Sequence, residues 1–197
     1  MDPSGIIGTL KEGLDRKDRA REAAYAKGRE IRRTSTRAIR EIHKGDFAAA
    51  EELLQEARRG VQALGANSTF PFLQETYQEY AEAAITYALL QRLDLPTPEE
   101  LSIPAEAYAL GLGDSIGELR RHILGAIRRE ELEAVEYYLD LMDEITHGLM
   151  TLDYPSALLP IKRKQDVARV LLERTQGDVT MALKQTRLER RLAALEK

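Results

Sequence analysis

The sequence predicts an all-α protein, a single-domain bundle of about seven helices with a long basic first helix. Three observations carry that expectation. Apolar residues recur at helical spacing nearly everywhere, with no convincing alternating strand. Prolines and glycines fall mainly between the periodic segments. No period of roughly 20–50 residues repeats, which excludes a helical-repeat array. A chain of 197 residues, 43% hydrophobic and 31% charged, can bury a real core as one domain over residues 1–197.

The elements follow in order. A first helix is expected from about Ile6 to Lys44, stopped by Gly45. Asp46 then caps a second helix, Phe47 to about Leu64. Gly65-Ala66-Asn67-Ser68-Thr69 reads as a connector, and a third helix covers about Phe70 to Leu93. In Leu95-Pro96-Thr97-Pro98-Glu99-Glu100, Thr97 is a cap and Pro98 the first helical residue of one short turn. Pro104 opens a helix to about Ala126, and another runs from about Glu130 to Met150. Tyr154-Pro155-Ser156 breaks the chain. Pro160 opens a helix to about Thr175, and Gly177-Asp178 is expected to start a separate last one.

Composition narrows the chemistry. Cysteine is absent, which excludes disulfides, thiolate metal sites and a cysteine nucleophile, and fits a reducing compartment. No apolar run approaches the ~20 residues needed to span a bilayer. Met1-Asp2-Pro3-Ser4-Gly5 lacks the basic-then-apolar pattern of a signal peptide. The expectation is a soluble, cytoplasmic protein with no membrane partner. The net charge is −4, so nucleic-acid binding would depend on local charge segregation. His43, His122 and His147 have no metal spacing among themselves and read as surface or packing residues. Tyr77, Tyr80, Tyr87, Tyr108, Tyr137 and Tyr138 read mostly as core or helix-contact residues. There is no glycine-rich phosphate loop, no Gly-x-Ser-x-Gly and no His-Glu-x-x-His, hence no nucleophilic side-chain system.

Two acidic segments stand out. Gln78-Glu79-Tyr80-Ala81-Glu82-Ala83, with Glu75 one turn upstream, lies on the third helix; Gly113-Asp114-Ser115-Ile116-Gly117-Glu118-Leu119 lies on the helix opened by Pro104. In each, carboxylates recur at three- or four-residue spacing and so share one helical face. Acids at this spacing commonly form nothing more than a solvated face. The glycines argue for more: Gly111, Gly113 and Gly117 surround Asp114 in an otherwise good helix, each costing roughly 1 kcal/mol relative to alanine. Close approach of another backbone or a substrate would explain them. If the two helices pack side by side, these carboxylates converge into a hard-cation site of the kind that holds magnesium or manganese against a phosphate.

The first helix carries a stripe of one charge sign. Arg29, Arg33, Arg37, Arg40 and Lys44, with Thr36 and His43 alongside, fall within an arc of about 120°. Ala24, Ile31, Ala38 and Ile42 fall opposite, and Arg32 lies at the margin. Such a stripe repels itself by a few tenths of a kcal/mol per i,i+4 pair, a cost that an anionic partner would offset. Phosphate backbone is one such partner; an acidic face of a protein, with the chain acting as a helical adaptor, is another.

Gln78-Glu79-Tyr80-Ala81-Glu82-Ala83 resembles the Gln-Glu-Tyr-x-Glu-Ala segment of the Trax branch of the translin family, and Asp114-Ser115-Ile116-Gly117-Glu118-Leu119 its Asp-Leu-Thr-Gly-Glu-Leu segment. The basic first helix is similar in kind to the family's. Ile161-Lys162-Arg163-Lys164 with Asp166-Val167-Ala168 resembles its seventh-helix region, so the likeness covers about Ala24 to Thr180. Translin-like subunits bind nucleic acid without the acidic set; Trax-like subunits cleave RNA with a metal. The resemblance therefore implies a Mg2+- or Mn2+-dependent endoribonuclease acting on single-stranded RNA inside a closed homo-oligomer, commonly an octamer. Glu75, Glu79, Glu82 and Asp114 would be the catalytic acids, and Glu79, Glu82, Asp114 and Glu118 the metal ligands. Arg29, Arg33, Arg37, Arg40 and Lys44 would hold the strand. The alternative is a non-catalytic, translin-like protein that binds single-stranded RNA or DNA. One departure matters: the resemblance expects a glutamate three residues before Glu79, and that position is Thr76, with Glu75 one residue further back.

Overall fold

A computed structural model describes residues 3–65 and 70–195. Ala66 to Thr69, most of the expected connector, and Met1-Asp2 of the N-terminal reading lie outside the described residues. Among the described residues, seven helices follow in chain order: α1 Pro3–Lys44, α2 Phe47–Leu64, α3 Leu73–Gln91, α4 Pro98–Leu101, α5 Ala105–Arg128, α6 Leu132–Met150 and α7 Lys162–Leu195. Strands are absent among the described residues.

Local chemistry sets the boundaries. Gly45 adopts φ 82°, and the Asp46 carboxylate accepts from Ala49 N at 3.0 Å, so α1 stops and α2 starts within two residues. Thr97 and Glu100 form a reciprocal capping box on the one-turn α4, with Pro98 at its start. Arg92 closes α3 in the left-handed region, its N–H reaching back to Leu89 O.

The expected break at Gly177 does not occur: α7 runs unbroken from Lys162 to Leu195. Glycine inside a helix costs only about 1 kcal/mol, and the flanking residues hold the helix together. Arg120 of α5 donates to Thr175 Oγ1 and to Asp178 Oδ2, both at 2.8 Å, and Val179 is buried in the core. The separate last helix is therefore the second half of α7.

Helix α5 is the hub, packing on α3, α6 and α7, while α1 packs on α2 and α3. Its seam residues Leu110, Ile116, Leu119 and Ile123 join Leu73, Ile85, Val135, Met142 and Leu149 in the core. The expected apolar seam of α1 (Ala24, Ile31, Ala38 and Ile42) is buried. Tyr77, Tyr80 and Tyr138 are core residues, whereas Tyr137 is exposed beneath the Arg92 guanidinium. The buried Gln165 amide donates to Leu149 O at 2.8 Å and Leu152 O at 2.9 Å, fixing the start of α7 against the end of α6. That anchor sets the direction of its neighbour Lys164.

Both long helices overhang the bundle. The first five turns of α1 expose Ile6, Ile7, Leu10 and Leu14, and the end of α7 exposes Met181, Leu188, Leu192 and Leu195. No helix among the described residues is long and apolar enough to cross a membrane.

Candidate metal and nucleic-acid site

Helices α3 and α5 meet at Gly111. A Cβ there would lie 2.7 Å from Gln78 O and from Ala81 Cβ, and 2.9 Å from Glu82 N. Only glycine lets the α5 backbone rest on this turn of α3. Asp114 follows one turn along α5, so the contact aligns the two acidic segments. Gly113 has a second reason: a Cβ there would lie 2.9 Å from Lys164 Cβ, on the side where α7 passes. Gly117 faces open space.

Each carboxylate has a distinct environment. Asp114 accepts from Gln78 Nε2 at 2.6 Å and pairs with the Lys164 ammonium. Glu79 accepts from Arg32 Nε, and Glu75 from Arg32 Nη1, each at 3.0 Å. Glu118 bonds His43 Nε2, with Arg121 Nη1 at 3.8 Å. The Thr76 side chain is buried where α3 faces Gly28 of α1, so it lies on the packing side of α3, not with the acids. Glu75 is the more exposed acid and joins Glu79 through the shared arginine.

Electrostatics mark Glu82 as the centre of the group. Burial, then the charges of Asp114, Glu118 and Glu79, push its carboxyl up to about 8, against the pull of Lys164. Burial also raises Glu79, opposed by Arg32. Glu118 is lowered, chiefly by its hydrogen bond to His43. The two helices thus gather four carboxylates close enough to feel one another, and the one at their centre is held protonated near neutrality.

The donor set suits a hard divalent cation. Carboxylate oxygens are its preferred ligands, and Glu82, raised first by burial and then by its acidic neighbours, is the group whose ionisation such an ion would favour. Among the described residues no three His, Asp or Glu side chains stand in a ready-made metal geometry. Arg32, Lys164 and His43 instead lie on Glu79, Asp114 and Glu118.

Those three side chains, with Gln78, are what sequence reasoning missed as site residues. Arg32 was visible at the margin of the basic stripe, His43 beside it, and Lys164 in the Ile161–Lys164 run. None has its acidic partner at helical spacing, so no local pattern couples them to the acids.

The basic stripe is solvent-exposed throughout: Arg29, Arg33, Arg37, Arg40 and Lys44 all lie on the open face of α1. Lys44 pairs with Glu41 at 2.8 Å, and Arg29 covers the Tyr25 ring at 5.2 Å. At 3.6 residues per turn, Arg29 and Arg40 lie roughly 60–80° around the helix from Arg32. Arg33, Lys44 and Arg37 lie further round, roughly 100–140° from Arg32, and Arg37 lines a groove with Glu52, Glu56 and Arg59 of α2. Only the Arg29–Arg40 edge of the stripe adjoins the acidic cluster, with Arg32 at the join.

No protein-family model matches the chain. An uncharacterized protein of Methanocaldococcus jannaschii, MJ0175, is 35% identical over 189 residues, covering 93% of this chain and 85% of that protein. Among solved structures, the crystal structure of AfC3PO superposes with a TM-score of 0.85 at 28% identity. AfC3PO in complex with duplex RNA gives 0.83 at 28%. Apo-NeC3PO, at 18% identity and a TM-score of 0.82, shares the fold. Each of these likenesses covers 92% of this chain and 98% of the other.

Proposed function

We propose that this chain, a member of the translin family with the C3PO chains it resembles, is a Trax-like endoribonuclease that hydrolyses single-stranded RNA. The observation that carries the reading is the convergence of Glu79, Glu82, Asp114 and Glu118 across the glycine contact of α3 and α5, with Glu82 pushed up to about 8.

Glu79, Glu82 and Asp114 would hold Mg2+ or Mn2+, with Glu118 and Glu75 as further acceptors. When bound, the cation supplies an acidified water and neutralises charge developing on the phosphodiester oxygens. The remaining work falls to the chain's own residues. Gln78 orients Asp114 through its amide. Lys164 and Arg32 balance the cluster's negative charge, so that a phosphate can approach it. Arg29, Arg33, Arg37, Arg40 and Lys44 hold the backbone without reading bases.

We take the chain as one helical domain that assembles into a closed homo-oligomer, in the cytoplasm. The apolar residues on the overhanging ends of α1 and α7 support assembly, because nothing in one subunit covers them among the described residues. An enclosed site admits a flexible strand more readily than a stiff duplex. A structure of AfC3PO holds duplex RNA, so strandedness needs a direct comparison.

A second reading, a translin-like RNA-binding protein without cleavage, is favoured by one observation. Arg32 and Lys164 pair with Glu79 and Asp114, His43 hydrogen-bonds Glu118, and no ready-made metal geometry stands among the described residues. Purified protein incubated with labelled single-stranded or duplex RNA, with and without magnesium or manganese, separates the two. Metal-dependent fragments from single strands support the nuclease; tight binding without fragments supports the binder. Faster cutting of the duplex would overturn the single-strand preference.

A further inference from the structure

Beyond the acidic cluster, toward the C-terminal end of α5, lies a cavity of about 520 Å3 whose charge the proposed reaction does not use. It begins at His43 and Gly117, beside the Glu118 carboxylate, and continues toward the end of the helix. Its lining includes four arginines and no carboxylate. Two of the four are fixed by the fold. Arg120 is held by Thr175 and Asp178, and Arg129 by a two-pronged bond to Glu131 at 2.8 and 2.9 Å. The other two are poised for a ligand. Arg121 is 60% exposed, with only Glu118 at 3.8 Å, and Arg128 has no ion pair among the described residues.

Helical spacing arranges these groups as a track. Gly117, Arg121, Gly125 and Arg128 succeed one another at four, four and three residues, so they share one face of α5. A Cβ on Gly117 would meet nothing within 4 Å, and one on Gly125 would meet only the Arg129 guanidinium at 3.3 Å. The packing of the bundle therefore requires neither glycine, yet each costs roughly 1 kcal/mol in a helix interior. Their absent side chains leave a floor low enough for a polymer backbone to lie between the arginines. Exposed guanidiniums in such a groove suit phosphate oxygens, which they bind with two parallel hydrogen bonds.

We propose that this groove is a second phosphate-binding track, which holds the RNA backbone on the α5 side of the acidic cluster, in addition to the α1 stripe. The inference rests on the RNA-cleaving reading above and adds the path of the strand. Because its contacts are to phosphate, the track contributes affinity and placement without base preference.

The test uses the full chain with Asp114→Ala throughout, so that bound RNA is not consumed, and a labelled 20-nucleotide single-stranded RNA as the probe, at a length of about two helical turns of duplex chosen only for reach. Adding Arg121→Ala and Arg128→Ala is expected to weaken binding about tenfold and to flatten the salt dependence by roughly 0.7 per lost phosphate contact. Arg121→Lys with Arg128→Lys is expected to restore most of the salt dependence, because the charges return. Unchanged affinity and salt slope in the alanine variant, with the parent still binding, would overturn the track and leave the nuclease reading standing. A parent that binds no RNA would overturn both. If light scattering showed that the alanine variant no longer assembles while the parent does, the groove would be a contact between subunits and the proposal would fail.

Discussion

Glu82 is the residue on which the chemistry turns. Its ordinary value is 4.5, and the folded chain raises it to about 8. The folded state then holds a proton that the unfolded chain has lost. Stability from this group is full below about pH 4.5 and drains away as pH rises through 8. Thermal melts in chelator should fall over that window in the wild type and much less in Glu82→Gln, which should be the more stable protein at pH 8.5. Parallel melting curves for the two proteins would remove Glu82 from the centre of the cluster. Magnesium should favour the ionised form and narrow the difference. The five acids were legible from spacing because each set shares a helix face. Their partners were not: Arg32 is 47 residues from Glu79, Lys164 is 50 from Asp114 and His43 is 75 from Glu118. Only the helix packing brings them together.

Among the elements, the contact between α3 and α5 is the one that builds the site. Gly111→Ala would drive a methyl into Gln78 O and Glu82 N, and should cost about 1–3 kcal/mol by overpacking. It should also separate the acids, lowering cleavage more than it lowers RNA affinity. Gly177→Ala is the control, since nothing lies within 4 Å of the added carbon; it should gain about 0.5–1 kcal/mol. Chemical denaturation of both variants checks the contrast, and a Gly111→Ala protein as stable as wild type would contradict the close packing. The same contrast explains what could be read in advance. Gly111 and Gly113 signal a neighbouring element, and the structure supplies one for each. Gly177 looks like a boundary only because sequence pattern cannot show that Arg120 straps Thr175 and Asp178 across it. On α1, the stripe was fully legible, since periodicity alone separates it from the buried seam. Reversing Arg33 and Arg37 to glutamate should leave helix content unchanged, weaken RNA binding about equally for all sequences and flatten its salt dependence. Unchanged RNA affinity in a correctly assembled variant would favour the adaptor role for this helix.

At the scale of the whole molecule, the all-α fold followed from periodicity and punctuation, and the seven helices match the C3PO fold over nearly the full chain. Assembly is the level at which one subunit says least. Its trace is the unpartnered apolar edge on α1 and α7, where Ile7, Leu10 and Leu14 repeat at three- and four-residue spacing, as do Leu188, Leu192 and Leu195. We expect a closed homo-oligomer well above a dimer, with the acids and the stripe turned inward. Light scattering at micromolar concentration checks this, and a stable monomer mass would rule it out.

The most direct test of the central claim is the cleavage of a labelled single-stranded RNA by wild-type and Asp114→Ala protein, each with magnesium or manganese and each with chelator. Metal-dependent fragments from the wild type alone, with RNA affinity retained in Asp114→Ala to within about threefold because phosphate contacts lie elsewhere, are the predicted result. Cleavage by Asp114→Ala at the wild-type rate, or wild-type cleavage unaffected by chelator, would contradict it.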